Sequence, residues 1–256
     1  MILRRLGNKK KIAKEIQAHF PPHKIYIEPF FGAGGMFFNK PKAKYNIVND
    51  LDSDVFNLFQ VVMNQKEELF ELYKITPYHS DLIKYWKETP ETTPLKKAMR
   101  FIYLSNFSLL GTGSQLSYGA AACGRRKTKD FKVLLEQTYN FIQEVQFMNV
   151  HFIKFFSNFQ IRGTEHDHFI YADPPYLGTN DNYSHSFKEQ DSNDLFDELE
   201  KTNCKFAMSE FDHPFILEQA EKRNLNIITI GERQNLKNRR TEILITNYIN
   251  RQPELF

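Results

Sequence analysis

The residues with the clearest chemical potential are Asp173-Pro174-Pro175-Tyr176, an acid and an aromatic held apart by two prolines. Each proline fixes φ and lacks a backbone donor but keeps its carbonyl. The spacing therefore sets a carboxylate, a carbonyl acceptor and an aromatic ring on one stiff loop. That combination suits an exocyclic amine on a nucleobase, whose lone pair is delocalised into the ring. Two acceptors, Asp173 and the C=O of Pro174, draw such an NH2 group towards tetrahedral geometry while Tyr176 stacks on the base. This is stabilisation by preorganised acceptors together with positioning, not abstraction of a proton by a base. Taken alone, the four residues are equally consistent with a turn that ends a strand.

A second candidate is EPFFGAGG, Glu28 to Gly35. Gly32, Gly34 and Gly35 let the backbone turn sharply from strand to helix and approach a ligand closely. The segment is neither G-x-G-x-x-G nor a P-loop, which would end in Lys-Ser/Thr. Asp50 closes the next strand about twenty residues on, the place where an acid accepts hydrogen bonds from both ribose hydroxyls. A ribose-bearing ligand without a required pyrophosphate is the expectation.

The elements that must position these residues follow from periodicity. Ile12, Ile16 and Phe20 recur at helical spacing before Pro21-Pro22. KIYIEPF reads as a short buried strand, MFFNK as the start of a helix, KYNIVND as a second strand, and SDVFNLFQVVMN as a helix with Ser53 at its N-cap. This βαβα order implies a parallel sheet. Residues from about 56 to 144 read mostly as helices around a polar, Gly-rich, basic stretch, GTGSQLSYGAAACGRRKTKD. Strands return at NVHFIK, HFIYAD, KFAMSE, LNIITIG and TEILITNY. The pattern is an α/β domain interrupted by a helical insert. Glu28, Asp50 and Asp173 all fall at the C-terminal ends of strands, where ligands of such sheets bind.

Composition narrows the class further. The 256 residues include 24 Phe, and 41% are hydrophobic, which supports a sizeable core and excludes wholesale disorder. Two distant cysteines, Cys123 and Cys204, argue against a disulfide framework or a cysteine zinc site. No stretch reaches the length of a membrane span. A cytoplasmic protein without membrane association or metal is expected. Net charge is only +3, but residues 1–14 carry Arg4, Arg5, Lys9, Lys10, Lys11 and Lys14 with no acid. A second cluster holds Arg125, Arg126, Lys127, Lys129 and Lys132. Clustered cations suit a phosphate polymer, and equally a solvated face. His166 and His168 flank Asp167 without a third ligand at useful spacing, which reads as a surface turn. Trp86 reads as core or as a base-stacking residue, and Arg239 and Arg240 as DNA-backbone contacts or solvated side chains.

In this order the segments resemble the DNA N6-adenine methyltransferases of the Dam-type (alpha-group) family. LRRLGNKKKIAKEI is similar to the family's N-terminal Gly-x-Lys element, YIEPFFGAGGMFF to its cofactor loop, NDLDSDV to its ribose segment, and NRRTEILITNY to its closing strand. DPPY stands after the insert. The match covers nearly the whole chain. The four-residue motif is shared with other amine methylases, whereas the ordered set is far more specific.

The resemblance implies a Rossmann-like sheet that binds S-adenosylmethionine and releases S-adenosylhomocysteine. Residues 1–55 and 145–256 would form the catalytic domain, and 56–144 an inserted target-recognition domain. It implies cofactor contacts from Lys9, Phe30, Gly32, Gly34, Asp50 and Asp173, with Tyr183, ten residues after Asp173, closing over the cofactor. Arg5 stands where an aromatic is usual, so a cofactor contact and a phosphate contact both stay open there. GATC-reading members carry an Asn- and Arg-rich segment after the FIYL helix. Here SNFSLLGTGSQLSYGAAACGRRKT stands instead, and that target is not carried over. Ser114, Arg125, Arg126 and Lys127 suit a hairpin entering the major groove, where Arg pairs with guanine, or a loop with generic phosphate contacts.

The expected activity is methylation of N6 of adenine in double-stranded DNA by base flipping, in a prokaryotic or phage-encoded enzyme with a possible cognate restriction endonuclease. The alternatives are an amine methylase acting on RNA or protein glutamine, and a DNA-binding protein without catalysis.

Overall fold

The computed structural model describes residues 2–3, 9–108, 116–117, 128–159, 161–178, 187–234 and 239–249, the side chains of Lys10, Arg233, Gln234 and Arg239 excepted. By contacts the chain divides into two compact units. One comprises Met1–Lys9, Gly32–Phe38 and Asp52–Glu144, and the other Lys10–Phe31, Asn39–Leu51 and Val145–Phe256.

The second unit is built on a seven-stranded sheet. Its strands are β1 (Ile25–Glu28), β2 (Tyr45–Asn49), β3 (Val145–Met148), β4 (His168–Ala172), β5 (Lys205–Phe211), β6 (Asn226–Gln234) and β7 (Arg239–Thr246), in the order β3-β2-β1-β4-β5-β7-β6. Strands β1 to β5 pair in parallel. β7 slots antiparallel between β5 and β6, and its hairpin with β6 carries an irregularity at Thr229/Gly231. The expected α/β class with a largely parallel sheet is what the molecule has. Every residue of β4 is buried, as befits a central strand covered on both faces.

One face of the sheet packs on three helices, labelled here α7 (Phe152–Ser157), α8 (Glu189–Lys201) and α9 (Pro214–Lys222). Ile27, Ile170, Ala172, Phe206, Met208, Ile243 and Ile245 meet Phe155, Leu195, Phe196 and Ile216 there. The opposite face is aromatic. Phe20 follows helix α1 (Ala13–Gln17) and lies 4.6 Å from Phe169 and 5.3 Å from Tyr171 between ring centroids. The Tyr248 hydroxyl donates to the carbonyl of His19 at 2.9 Å, tying the end of the sheet to the α1 segment.

The first unit is helical, with α2 (Ser53–Asn64), α3 (Lys66–Ile75), α4 (Ser80–Glu88), α5 (Pro94–Phe107) and α6 (Thr128–Ile142). Tyr73 of α3 stacks on Phe131 of α6 at 3.8 Å, and Lys66 joins Glu136 at 2.8 Å. Trp86 proves to be core. It is buried, edge-on to Tyr103, and its indole N–H donates to Glu91.

Three local expectations fail. Ser53 is not the N-cap of α2. Asp52 is, its carboxylate accepting from the amide of Asp54 at 2.9 Å. MFFNK makes only a 3-10 turn, Phe37–Asn39, rather than the opening of an α-helix. NVHFIK is not a strand. Phe152, Phe155 and Phe156 share one face of α7, which His151 caps through the Ile153 amide, while the strand is the earlier VQFM. The Val150 and Phe152 alternation is the edge of a helical stripe read at the wrong period.

Candidate active site

The strand order places a topological switch between β1 and β4. From β1 the chain steps outward to β2 and β3, and from β4 to β5 in the opposite direction. Connections diverge there and leave a crevice beyond the strands' C-terminal ends. Glu28 is the last residue of β1, Asp50 follows β2, and Asp173 follows β4.

Asp50 is placed by its neighbours' backbone. Its amide donates to the Met148 carbonyl at 3.2 Å, and its own carbonyl accepts from the Asn149 side chain at 2.7 Å. Asn49 does more. Buried at 2% exposure, it donates to the carbonyls of Pro29 and Val150 at 3.0 Å each and accepts from the Val150 amide at 3.0 Å. It thereby ties the loops after β1, β2 and β3 to one another. Asn49→Ala is expected to cost about 2–3 kcal/mol, because a buried side chain with three partners is lost and those partners stay buried. Urea unfolding measures this, and an unchanged midpoint would show that water replaces the bonds freely.

Phe30 is half-buried, 5.7 Å from Phe152 and edge-on to Phe187 at 6.0 Å. Glu28 is fully buried and accepts from the Tyr26 hydroxyl at 2.8 Å. Burial drives its carboxyl well above the usual range, with the Asp173 and Asp50 charges pushing the same way against the Tyr26 hydrogen bond and Lys40. The Lys40 ammonium sits 3.9 Å over the Tyr26 ring and is lowered by burial to about 8. Burial thus favours the protonated form of Glu28 over its carboxylate.

The loop after β4 is held as its prolines suggest. Asp173 is half-buried, Pro174 and Tyr176 are buried, and Leu177 is anchored in the core at 3% exposure. The Tyr176 hydroxyl donates to Glu242 at 2.6 Å, and its ring meets Phe211 edge-on at 4.7 Å. Burial raises the Tyr176 phenol well above its ordinary value, and the Asp173 and Glu242 charges add to this. Tyr171 behind it is raised in the same way and bonds Ser209 at 2.8 Å.

Of the residues singled out from sequence, Phe30, Asp50, Asp173, Pro174 and Tyr176 belong to the sheet unit. Lys9, Gly32 and Gly34 belong to the helical unit, where Lys9 is buried and both glycines take positive φ, +54° and +72°. A Cβ on Gly32 would meet nothing within 4 Å, so open space lies over that turn. Arg5, Ser114, Arg125, Arg126, Lys127 and Tyr183 lie outside the described residues, as does the Arg239 side chain. Arg240 is half-buried. Its guanidinium donates to the carbonyls of Leu177 and Gly178 at 3.3 and 3.2 Å. Asn49 and Glu242 were not singled out from sequence, and for Arg240 the bonds to the loop after β4 were not foreseen. The available signal for Glu242 was a lone acid inside the apolar run TEILIT.

The family described as "D12 class N6 adenine-specific DNA methyltransferase" matches residues 6–242. The "Type II methyltransferase M1.LlaDCHI" of Lactococcus lactis subsp. cremoris is 24% identical over 269 residues, covering 95% of this chain and 94% of its own. The "DNA adenine methylase" of Escherichia coli (strain K12) is 26% identical over 179 residues, 66% of this chain and 62% of its own. The "Modification methylase StsI" of Streptococcus sanguinis is 23% identical over 278 residues, which span 95% of this chain but only 42% of that protein.

Proposed function

The chain belongs to the D12 class of N6 adenine-specific DNA methyltransferases, and we propose that it methylates an adenine swung out of double-stranded DNA, with S-adenosylmethionine as donor. An adenine amine inside the stack is out of reach for in-line attack, so the base must leave the helix. Asp173 and the Pro174 carbonyl accept from the amine and localise its lone pair, and Tyr176 stacks on the ring. The proton released after transfer passes to water. Asp173 serves the cofactor as well as the amine.

The observation that carries this reading is the Asp173–Tyr176 loop, stiffened by prolines, leaving β4 at the switch point with Tyr176 locked in place. The cofactor's chemistry is the supply of an electrophilic sulfonium methyl. The residues fit that group: Asp50 offers a carboxylate for ribose hydroxyls and Phe30 a half-buried ring. The family resemblance assigns Lys9, Gly32, Gly34 and Tyr183 to the same task and leaves Arg5 between cofactor and phosphate. Residues 56–144 are the target-recognition insert in this reading. Ser114, Arg125, Arg126 and Lys127 contact DNA, and Arg239 touches its backbone. Relatives named as a type II methyltransferase and a modification methylase support pairing with a restriction endonuclease. No helix among the described residues is long and apolar enough to cross a membrane, in keeping with a cytoplasmic enzyme on prokaryotic or phage DNA.

The test is incubation with labelled S-adenosylmethionine and DNA, RNA or protein in parallel, followed by digestion and identification of the product. N6-methyladenine in DNA is expected. Label confined to RNA or glutamine, or to nothing, would sink the reading. Asp50→Ala should weaken cofactor binding roughly 10- to 100-fold, the worth of about 1.5–3 kcal/mol for charge-assisted hydrogen bonds. Titration calorimetry reads this directly, and an affinity within about twofold of the native protein's would place the ribose elsewhere.

A further inference from the structure

The residues that hold the Asp173–Tyr176 loop come from β7, far along the chain. Arg240 and Glu242 stand two apart on that strand and so share one face. Glu242 takes the Tyr176 hydroxyl at 2.6 Å, and Arg240 takes the next two carbonyls, Leu177 and Gly178. Phe211 of β5, in register with Glu242, bridges them. Its ring is edge-on to Tyr176, and the Arg240 guanidinium carbon lies 5.4 Å from its centroid. Three consecutive loop residues are thus fixed by side chains of one rigid strand.

We propose that Glu242 and Arg240 are positioning residues for methyl transfer, a clamp that sets the tilt and height of the Tyr176 ring against the target base. The proposal rests on the reading of Tyr176 as the stacking platform.

The chemistry favours this over a packing role. Glu242 is buried to 1% exposure, and a buried carboxylate is a costly way to fill space that Leu would fill well. The loop already has a hydrophobic anchor in Leu177, so the fold does not need a second tether one residue away. What a carboxylate adds is a short, directional, charge-assisted bond that leaves the ring one orientation. A side chain held by a strand is placed more tightly than one held by its own loop.

The clamp is tested by single-turnover transfer from labelled S-adenosylmethionine to mixed-sequence DNA, with cofactor affinity and thermal midpoint measured on the same samples. Misplacement of a reacting group by about 1 Å costs on the order of 100-fold, so Tyr176→Phe and Glu242→Leu should each slow transfer roughly 10- to 100-fold. Cofactor affinity should stay within about threefold, and the double variant should be no slower than the slower single, since both remove one interaction. Glu242→Gln keeps an acceptor and should recover most of the rate. Arg240→Met should slow transfer by a smaller factor. Should Glu242→Leu not fold, Tyr176→Phe breaks the same bond from the loop side and carries the comparison. Native rates in both singles, multiplying effects in the double, or cofactor affinity falling in step with rate would overturn the clamp alone. A native protein that methylates no DNA would overturn the reading of the site and the clamp's role with it.

Discussion

Asp173→Ala is expected to lower methyl transfer at least 10³-fold while DNA affinity stays within a few-fold. The reason is what the carboxylate does in this site. A preorganised group aimed at the reacting atom is worth about 10²–10³ in rate by itself. In the proposed reading Asp173 also fixes where the amine sits, and positioning adds to that. Together the two effects exceed about 4 kcal/mol of activation free energy. Asp173→Asn keeps one acceptor oxygen and should fall between the native protein and the alanine variant. Single-turnover kinetics with labelled cofactor, alongside a DNA mobility shift, separate rate from binding. An alanine variant within tenfold of the native rate would mean that the Pro174 carbonyl and Tyr176 suffice, and that Asp173 is not central.

The second large effect is structural. Phe196→Ala should destabilise the sheet unit by about 3–5 kcal/mol, the range for a large buried aromatic cut to alanine. Phe196 is fully buried among Ile170, Ala172, Phe206 and Met208, and the Arg223 guanidinium lies 5.2 Å from its ring. Those neighbours belong to β4, which Asp173 follows, and to β5, which ends in Phe211. Against a typical stability of about 5–15 kcal/mol, such a loss leaves little margin. Urea denaturation followed by circular dichroism checks it. A loss below about 1 kcal/mol would show that α8 collapses onto the sheet and refills the space. Activity per folded molecule should survive far better than in Asp173→Ala, because no group at the crevice is altered.

Much of the site was legible in the sequence because its signals are local. Strand, acid and proline follow one another in HFIYADPPY, and the acid after KYNIVN closes its strand, so each position could be read without knowing the partners. The errors arose where partners decide. Asp52 and Ser53 are both good caps, and only the backbone at Asp52, φ −71° and ψ 107°, chooses between them. NVHFIK has strand-like alternation, but Phe152, Phe155 and Phe156 meet the core on one helical face. Glu242 and Arg240 could not be assigned by spacing, because their targets, Tyr176 and Leu177–Gly178, are more than sixty residues away. Their role exists only once β7 lies antiparallel beside β5, a placement that no periodicity encodes.

That placement of β7 between β5 and β6 sets an order in time. Glu242 follows Tyr176 by 66 residues, and Tyr248 reaches back 229 residues to His19. Synthesis runs at about 5–20 residues per second, so roughly 3–13 s pass between adding the one residue and the other. Meanwhile β5 has no neighbour on its outer side, and β6 has nothing to pair with until β7 arrives. The growing chain can hold the five parallel strands before the Tyr176–Glu242 bond can form, so the loop after β4 is fixed only after the strands that carry it.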